Sequence, residues 1–265
     1  MKNKMTTARL RDMKQAGEKI ACLTAYDASF ARVLDEAGVE VLLVGDSLGM
    51  VLHGDDTTLK VTVADMVYHT RLVSQGNDRA LLIADMPFMS YTTPAQALGN
   101  AARLMSEGGA EVVKIEGGEH VLDAVRYLER HDVPVCGHLG LQPQSVHKYG
   151  GYRVQGRDVP AAERILMDAR ALQDAGATIL VLECIPMDLA AKVSTAIDIP
   201  TIGIGAGVDC DGQVLVLYDM LGISAPTPKM ARNFLAGNGS VQDAVRAYVG
   251  AVKAGTFPGP EHSFQ

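Results

Sequence analysis

The chain has 265 residues, 48% of them hydrophobic and 21% charged, with a formal net charge of −7. That length is close to the ~250 residues of one (β/α)₈ barrel, and the composition is that of an ordinary globular protein. The acidic balance and the absence of any Lys/Arg run argue against a nucleic-acid partner, and no apolar run approaches the ~20 residues that span a bilayer.

From the start of the chain, MKNKMTTARLRDMKQAG lacks the apolar stretch of a signal peptide, so a cytoplasmic setting is expected. Within it, Thr7–Gln15 reads as a helix. Ile20–Thr24 reads as the first strand and Ala28–Ala37 as the next helix. A phrase then recurs in which a helix ends in Gly, a Val/Ile/Leu run follows and an acid closes it. Gly38 leads through Val39–Val44 to Asp46, Gly109 through Ala110–Ile115 to Glu116, and Gly176 through Ala177–Leu182 to Glu183. Gly supplies a left-handed helix cap, and a run of apolar residues on both faces suits a strand of a parallel sheet. Ala80–Ala84 before Asp85, Val133–Gly137 before His138, Pro200–Ile204 and Val214–Leu217 complete eight strands. Val63–Ser74, Pro94–Ser106, His120–Arg130, Ala161–Ala175 and Met187–Ala196 supply the helices between them. Pro228–Leu235 and Val241–Ala254 read as additional C-terminal helices. Such alternation predicts a single α/β domain over residues 1–265, a (β/α)₈ TIM barrel with extra N-terminal and C-terminal helices.

Barrels of this kind carry their chemistry at the C-terminal ends of the strands. Those ends hold Asp46, Asp85, Glu116, His138 and Glu183, with Lys114 two residues before Glu116 and so on the same face. Each has a plainer reading. Asp46 and Asp85 could cap the helices that follow, and His138 could be a satisfied core histidine. Glu116 and Glu183 are poor caps, and a lysine inside an apolar strand needs a partner. Four acids at one rim disfavour joint ionisation unless a cation compensates them, which points to a hard divalent ion such as Mg²⁺. The four cysteines, Cys22, Cys136, Cys184 and Cys210, form no CxxC pair and read as reduced structural thiols. Gly203-Ile204-Gly205-Ala206-Gly207 lacks the spacing of a dinucleotide loop, so tight packing is the equal alternative to a phosphate site. The Gly-rich stretch Leu141–Gly156 reads as a long loop, either a lid over the barrel mouth or a surface excursion.

With those residues placed, the chain resembles the ketopantoate hydroxymethyltransferase (3-methyl-2-oxobutanoate hydroxymethyltransferase) family. The resemblance lies in Leu23-Thr24-Ala25-Tyr26-Asp27, Val44-Gly45-Asp46-Ser47-Leu48-Gly49, Asp85-Met86-Pro87-Phe88-Met89-Ser90-Tyr91 and Val113-Lys114-Ile115-Glu116-Gly117. It continues in Gly137-His138-Leu139-Gly140-Leu141, Pro143-Gln144-Ser145-Val146, Gly150-Gly151-Tyr152, Leu182-Glu183, the Gly203–Gly207 run and Glu261-His262-Ser263-Phe264. The chain departs from the family pattern at Asp55, Lys60 and Gln142, where His, Pro and Thr are expected. The resemblance implies that Asp46 and Asp85 ligate Mg²⁺, with Glu116 holding it directly or through water. It implies that Asp46, Ser47, Asp85, Lys114 and His138 bind substrate and that Glu183 is the catalytic base. It further implies 3-methyl-2-oxobutanoate as substrate, 5,10-methylenetetrahydrofolate as cosubstrate, ketopantoate as product and a homodecamer as the assembly.

Two other readings stand beside it. One is a lyase of the phosphoenolpyruvate/isocitrate-lyase type, similar at Cys136-Gly137-His138 but preceded there by two lysines where this chain has Pro134-Val135. The other is a non-catalytic barrel that binds an oxo acid without exchanging its C3 proton.

Overall fold

The computed structural model describes residues 4–265, so residues 1–3 of the predicted domain lie outside the described residues. Eight parallel strands close into a barrel in sequential order. They are β1 (Ile20–Thr24), β2 (Val41–Val44), β3 (Leu81–Asp85), β4 (Val112–Glu116), β5 (Val135–Gly140), β6 (Ala177–Glu183), β7 (Thr201–Ile204) and β8 (Gly212–Leu215). Around them run α1 (Thr7–Ala16), α2 (Ala28–Glu36), α3 (Leu48–Val51), α4 (Val63–Gly76), α5 (Pro94–Ser106) and α6 (Leu122–Glu129). The remainder are α7 (Val146–Tyr149), α8 (Val159–Asp174), α9 (Met187–Ala196), α10 (Leu217–Met220) and α11 (Val241–Lys253). The sequence marks most of their starts. Thr6, Asp27, Thr62, Thr93, Asp158 and Ser240 each accept a backbone N–H at a helix N-terminus.

Period-two alternation divides the strand residues into two packing systems. Cys22, Val41, Leu43, Leu81, Ile83, Val112, Cys136, Ile179, Val181, Ile202, Ile204 and Val214 form the interior cluster of the barrel. Intervening residues such as Leu23, Leu42, Leu82, Val113 and Leu180 pack outward against the helices. The inward parity of β3, β4, β5 and β6 runs out on Asp85, Lys114 with Glu116, His138 and Glu183. Register sets Asp85 beside Lys114 and Glu116 beside His138. The same alternation that fills the barrel with apolar side chains thus collects its polar ones at the C-terminal rim.

Helix α1 closes the opposite end. Leu10 and Met13 join the interior cluster. Lys14 Nζ donates to the carbonyls of Ser194 (2.8 Å) and Ile199 (3.1 Å) and pairs with Asp211 (2.9 Å). The C-terminal α11 packs on β1, and Tyr248 Oη donates to the carbonyls of Cys22 (2.9 Å) and Gln213 (2.8 Å).

Three expectations are corrected. Pro228–Leu235 is not a helix. The Asn233 side chain accepts the N–H groups of Leu235 and Ala236, a local turn that competes with helical bonding. The last strand is Gly212–Leu215 rather than Val214–Leu217. Gly212 enters the sheet because a Cβ there would lie 2.5 Å from the Ile20 carbonyl oxygen, and Leu217 instead starts α10 with its N–H given to Thr24 Oγ1 (2.9 Å). The long loop Leu141–Gly156 is partly helical, with a 3₁₀ turn at Pro143–Ser145 followed by α7. The Gly203–Gly207 run has the packing role. A Cβ at Gly205 (φ 62°) would meet the Phe264 ring at 2.9 Å, and one at Gly207 (φ 85°) would meet Met187 Cβ at 2.6 Å.

Leu10 is fully buried. Leu10→Ala is expected to lower unfolding free energy by about 2–5 kcal/mol, read from urea denaturation, because no neighbour can refill the closed end of the barrel. A change below measurement error would remove α1 from the core.

Candidate active site

The C-terminal mouth encloses a cavity of ≈ 230 Å³. One wall is polar, with Asp46, Ser47, Asp85, Lys114, Glu116, His138 and Glu183. The apolar part of the lining includes Leu43 and Val181 on β2 and β6, Ile204 and Val214 on β7 and β8, and Met230, with Thr24 and Asp219 as further polar members. All seven residues singled out in the sequence therefore face one space.

Lys114 is the hub of the polar wall. Its Nζ lies 3.1 Å from Asp85 Oδ1, 3.3 Å from His138 Nδ1 and 3.8 Å from Glu116 Oε1. His138 continues the chain of charge, with Nδ1 3.3 Å from Glu116 Oε1 and Nε2 3.1 Å from Glu183 Oε2. Asp85, Lys114, Glu116 and His138 are at most 4% exposed. Glu183 stands slightly apart, with a side chain 14% exposed. Its backbone is held tightly. The Glu183 carbonyl accepts the Leu141 N–H (2.8 Å), and Gly140, at φ 93°, leaves room for that approach where a Cβ would come within 2.1 Å. The next residue, Cys184, turns through the left-handed region at φ 47° and gives its N–H to Ile204 (2.8 Å).

Asp46 does not cap the helix that follows. Ser47 occupies the cap position of α3 and makes no side-chain capping bond. Asp46 instead accepts Gln144 Nε2 at 2.8 Å, and its own N–H donates to Asp85 Oδ2 at 3.0 Å. Ser47 Oγ shares a hydrogen bond with Tyr26 Oη (2.9 Å).

Burial pushes the Asp46 carboxyl well above the ordinary carboxylate range, and neighbouring Asp85 and Glu116 push it further. Burial also raises Asp85, against the Lys114 ammonium and the Asp46 N–H. Glu116 goes the other way: burial opposes its charge, but His138, Lys114 and the Gln144 N–H hold it low. Burial disfavours the Lys114 charge, and Asp85, Glu116 and Asp46 more than restore it. Burial and Lys114 likewise press His138 toward neutrality, and the Glu116 and Glu183 carboxylates override them, lifting it to about 9.

Residues 4–260 match the family described as ketopantoate hydroxymethyltransferase. The chain is 60% identical over 264 residues to 3-methyl-2-oxobutanoate hydroxymethyltransferase of Methylococcus capsulatus, covering 100% of this chain and 98% of the relative. It is 57% identical over 261 residues to that of Halorhodospira halophila, covering 98% and 95%. The chain belongs to the ketopantoate hydroxymethyltransferase family.

Solved structures of other enzymes share the fold of this hydroxymethyltransferase-family chain. A 2,3-dimethylmalate lyase of the PEP mutase/isocitrate lyase superfamily aligns with a TM-score of 0.58 at 20% identity, covering 82% of each chain. A phosphonopyruvate hydrolase complex with oxalate and Mg²⁺ aligns with a TM-score of 0.61 at 11% identity, covering 80% of this chain and 81% of that one. The lyase-type reading of the sequence thus finds its basis in a common barrel.

The donor set of this family member fits a hard dication. Asp85 Oδ1 and Glu116 Oε1 are buried oxygens with no hydrogen-bond partner, although cations lie near both. His138 Nε2 is also unpartnered, its approach to Glu183 being close but without hydrogen-bond alignment. Among the described residues no three His, Cys, Asp or Glu side chains gather into a preformed metal cage. Two or three carboxylates completed by water and substrate suit Mg²⁺ better than an all-protein shell.

Sequence reasoning passed over Gln144, Tyr91 and Tyr26. They sit in the quoted motifs, but neutral residues in loops carry no charge pattern to betray them. Two departures from the family pattern compensate each other: Lys60 Nζ pairs with Asp55 Oδ1 (2.5 Å) at the surface. The third, Gln142, accepts Tyr149 Oη (3.3 Å) and donates to the His138 carbonyl (3.5 Å). The four cysteines are buried and unpaired, and burial raises the Cys136 and Cys210 thiols to about 12. No described helix is long and apolar enough to cross a membrane.

His138 rises from an ordinary 6.5 to about 9 on folding. The stability it contributes is therefore fully present below about pH 6.5 and lost as pH rises through about 9. In metal-free protein, the denaturation midpoint is expected to fall across that window, and His138→Gln should flatten the fall. An identical slope in the variant would take the protonated imidazole out of the polar wall.

Proposed function

We propose that the protein makes ketopantoate by joining a one-carbon unit to C3 of 3-methyl-2-oxobutanoate, with 5,10-methylenetetrahydrofolate as donor. The observation that carries this is the division of the cavity. The charged exits of β3 to β5 suit the carboxylate and 2-oxo oxygens, the apolar residues of β7 and β8 suit the branched alkyl chain, and Glu183 on β6 lies beside His138 on one side and Ile204 on the other. Membership of the hydroxymethyltransferase family supports the same reaction.

Lys114 and Ser47 would bind the substrate carboxylate and neighbouring oxygens. Asp46 and Asp85 would hold Mg²⁺, with Glu116 doing so directly or through water. When bound, that ion supplies a Lewis acid that polarises the 2-oxo group. Glu183 would take the C3 proton, leaving its electron pair conjugated with the oxo group. One carbon–nitrogen bond of the folate methylene bridge opens to an iminium, and the pair forms the bond to that carbon. Water supplies the hydroxyl as the second carbon–nitrogen bond breaks, and the C3 proton and one proton of the water end on the two folate nitrogens. His138, bridging Glu116 and Glu183, would keep the base directed at C3. Leu43, Val181 and Ile204 exclude water from that side.

Proton NMR of 3-methyl-2-oxobutanoate in D₂O with protein and Mg²⁺ tests the reaction. Loss of the C3 proton signal, with hydroxymethyl product only when the folate is added, is the expected result. Absence of both from folded protein would return the oxo-acid binding protein as the better reading. Glu183→Gln should lower turnover at least ~10²-fold with oxo-acid binding largely kept; unchanged turnover would remove the base. Asp85→Ala should weaken Mg²⁺ dependence and oxo-acid affinity together, and retention of both would take Asp85 out of the metal site.

A further inference from the structure

Gln144 is the most heavily committed neutral side chain at the polar wall. It is 6% exposed and follows β5 in the loop at the barrel mouth. Its backbone N–H donates to Glu116 Oε2 (3.0 Å). Its Nε2 donates to Asp46 Oδ2 (2.8 Å) and to the Met86 carbonyl (3.0 Å). Its Oε1 accepts Tyr91 Oη at 2.6 Å. The residue thus ties the exits of β2, β3, β4 and β5 together through its side-chain amide and its backbone N–H.

A primary amide offers two donors on nitrogen and an acceptor on oxygen, and which end faces which way is set by its partners. Here Asp46 Oδ2 and the Met86 carbonyl are both acceptors, so the nitrogen must face them. A turned amide would point its oxygen at a buried carboxylate and a carbonyl, with both left unpaired. Tyr91 completes that orientation from the other side. Its single hydroxyl proton is directed at Gln144 Oε1, and among the described residues its second hydrogen-bond contact is the Glu116 carbonyl (3.3 Å), again an acceptor. With the nitrogen held by Asp46 and Met86, the hydroxyl gives its proton to the amide oxygen by the shorter of its two contacts.

We infer that Tyr91 and Gln144 are a pair of positioning residues that set the orientation of the Asp46 and Glu116 carboxylates toward a divalent cation, Tyr91 acting through Gln144. Gln144 engages Oδ2 of Asp46 and Oε2 of Glu116, and Glu116 Oε1 remains without a hydrogen bond. That division leaves the other oxygen of each carboxylate uncommitted to Gln144, with Glu116 Oε1 lying 3.3 Å from His138 Nδ1 and 3.8 Å from Lys114 Nζ. Partners behind a metal ligand of this kind change metal affinity by roughly 10–100-fold when removed. The inference rests on the metal reading of the proposed function.

Mn²⁺ binding to substrate-free protein, followed by electron paramagnetic resonance, tests it without reference to activity. Gln144→Met keeps the side-chain length and the backbone N–H to Glu116 but removes the amide. It should raise the Mn²⁺ dissociation constant at least ~10-fold. Tyr91→Phe keeps the ring and loses only the hydroxyl, so a purely packing role predicts no change. Loss of the hydrogen bond that holds the amide predicts roughly fivefold weaker binding, the equivalent of one neutral hydrogen bond. The double variant should bind no more weakly than Gln144→Met alone, since Tyr91 has nothing left to orient. Additive losses would overturn the coupling, and unchanged affinity in both single variants would overturn the inference while leaving the metal reading intact. Wild-type protein that binds no Mn²⁺ would overturn both. Circular dichroism checks folding of each variant; should Gln144→Met fail to fold, Tyr91→Phe alone decides, with unchanged affinity counting against the inference.

Discussion

The constraint on which the rest of the structure depends is the burial of like charge at the end of the barrel. Asp46, Asp85 and Glu116 are each 3–4% exposed, and the single ammonium of Lys114 stands among them at 4%. A buried carboxylate without compensation costs several kcal/mol or protonates. The chain answers with Lys114, with the His138 imidazole, whose pKa the Glu116 and Glu183 carboxylates raise against burial, and with backbone and amide N–H donors. Even so, Asp46 and Asp85 are driven toward their neutral forms. Such a site favours any ligand that brings positive charge, which links the electrostatics of the barrel mouth to the chemistry proposed for it.

That charge is tolerable because the scaffold around it is stiff. The strands are buried on both faces, and interior side chains such as Leu81, Ile83, Ile179 and Val181 fill the space beneath the polar layer. The layer cannot sink, since it rests on packed apolar residues. It cannot spread either, since register fixes Asp85 beside Lys114 and Glu116 beside His138. Helix α1 closes the far end, so the barrel opens at one face. Pre-organisation of this kind matters for a reaction whose developing charge must be met by groups already in place.

The apolar wall gives the cavity its second property. Its strand residues, Leu43, Val181, Ile204 and Val214, are the last inward apolar positions before the rim. A small acid with an alkyl branch can present its oxygens to one wall and its carbon chain to the other. Glu183 is the most accessible of the four rim acids and lies within reach of both. Its separation from the carboxylate cluster by His138 suits a group that must accept and release a proton rather than hold a cation.

The sequence by itself determined the barrel and the inventory of its site. Eight apolar runs punctuated by glycine and closed by acids encode parallel strands, because period-two alternation ties side-chain direction to residue number. That is why Lys114, Glu116, Asp85, His138 and Glu183 could be assigned to one rim from spacing alone. It did not determine the Pro228–Leu235 segment, whose amphipathic pattern is overridden by Asn233 bonding to nearby N–H groups. Nor did it disclose Gln144. An uncharged residue in a loop has no pattern until Asp46, which lies 98 residues earlier in the chain, is folded to within 2.8 Å of it. Local physics writes strands, caps and parity into the sequence. The pairing of polar atoms across distant loops exists only after the barrel has closed, because only closure brings their hydrogen-bond partners together and removes the water that would otherwise satisfy them.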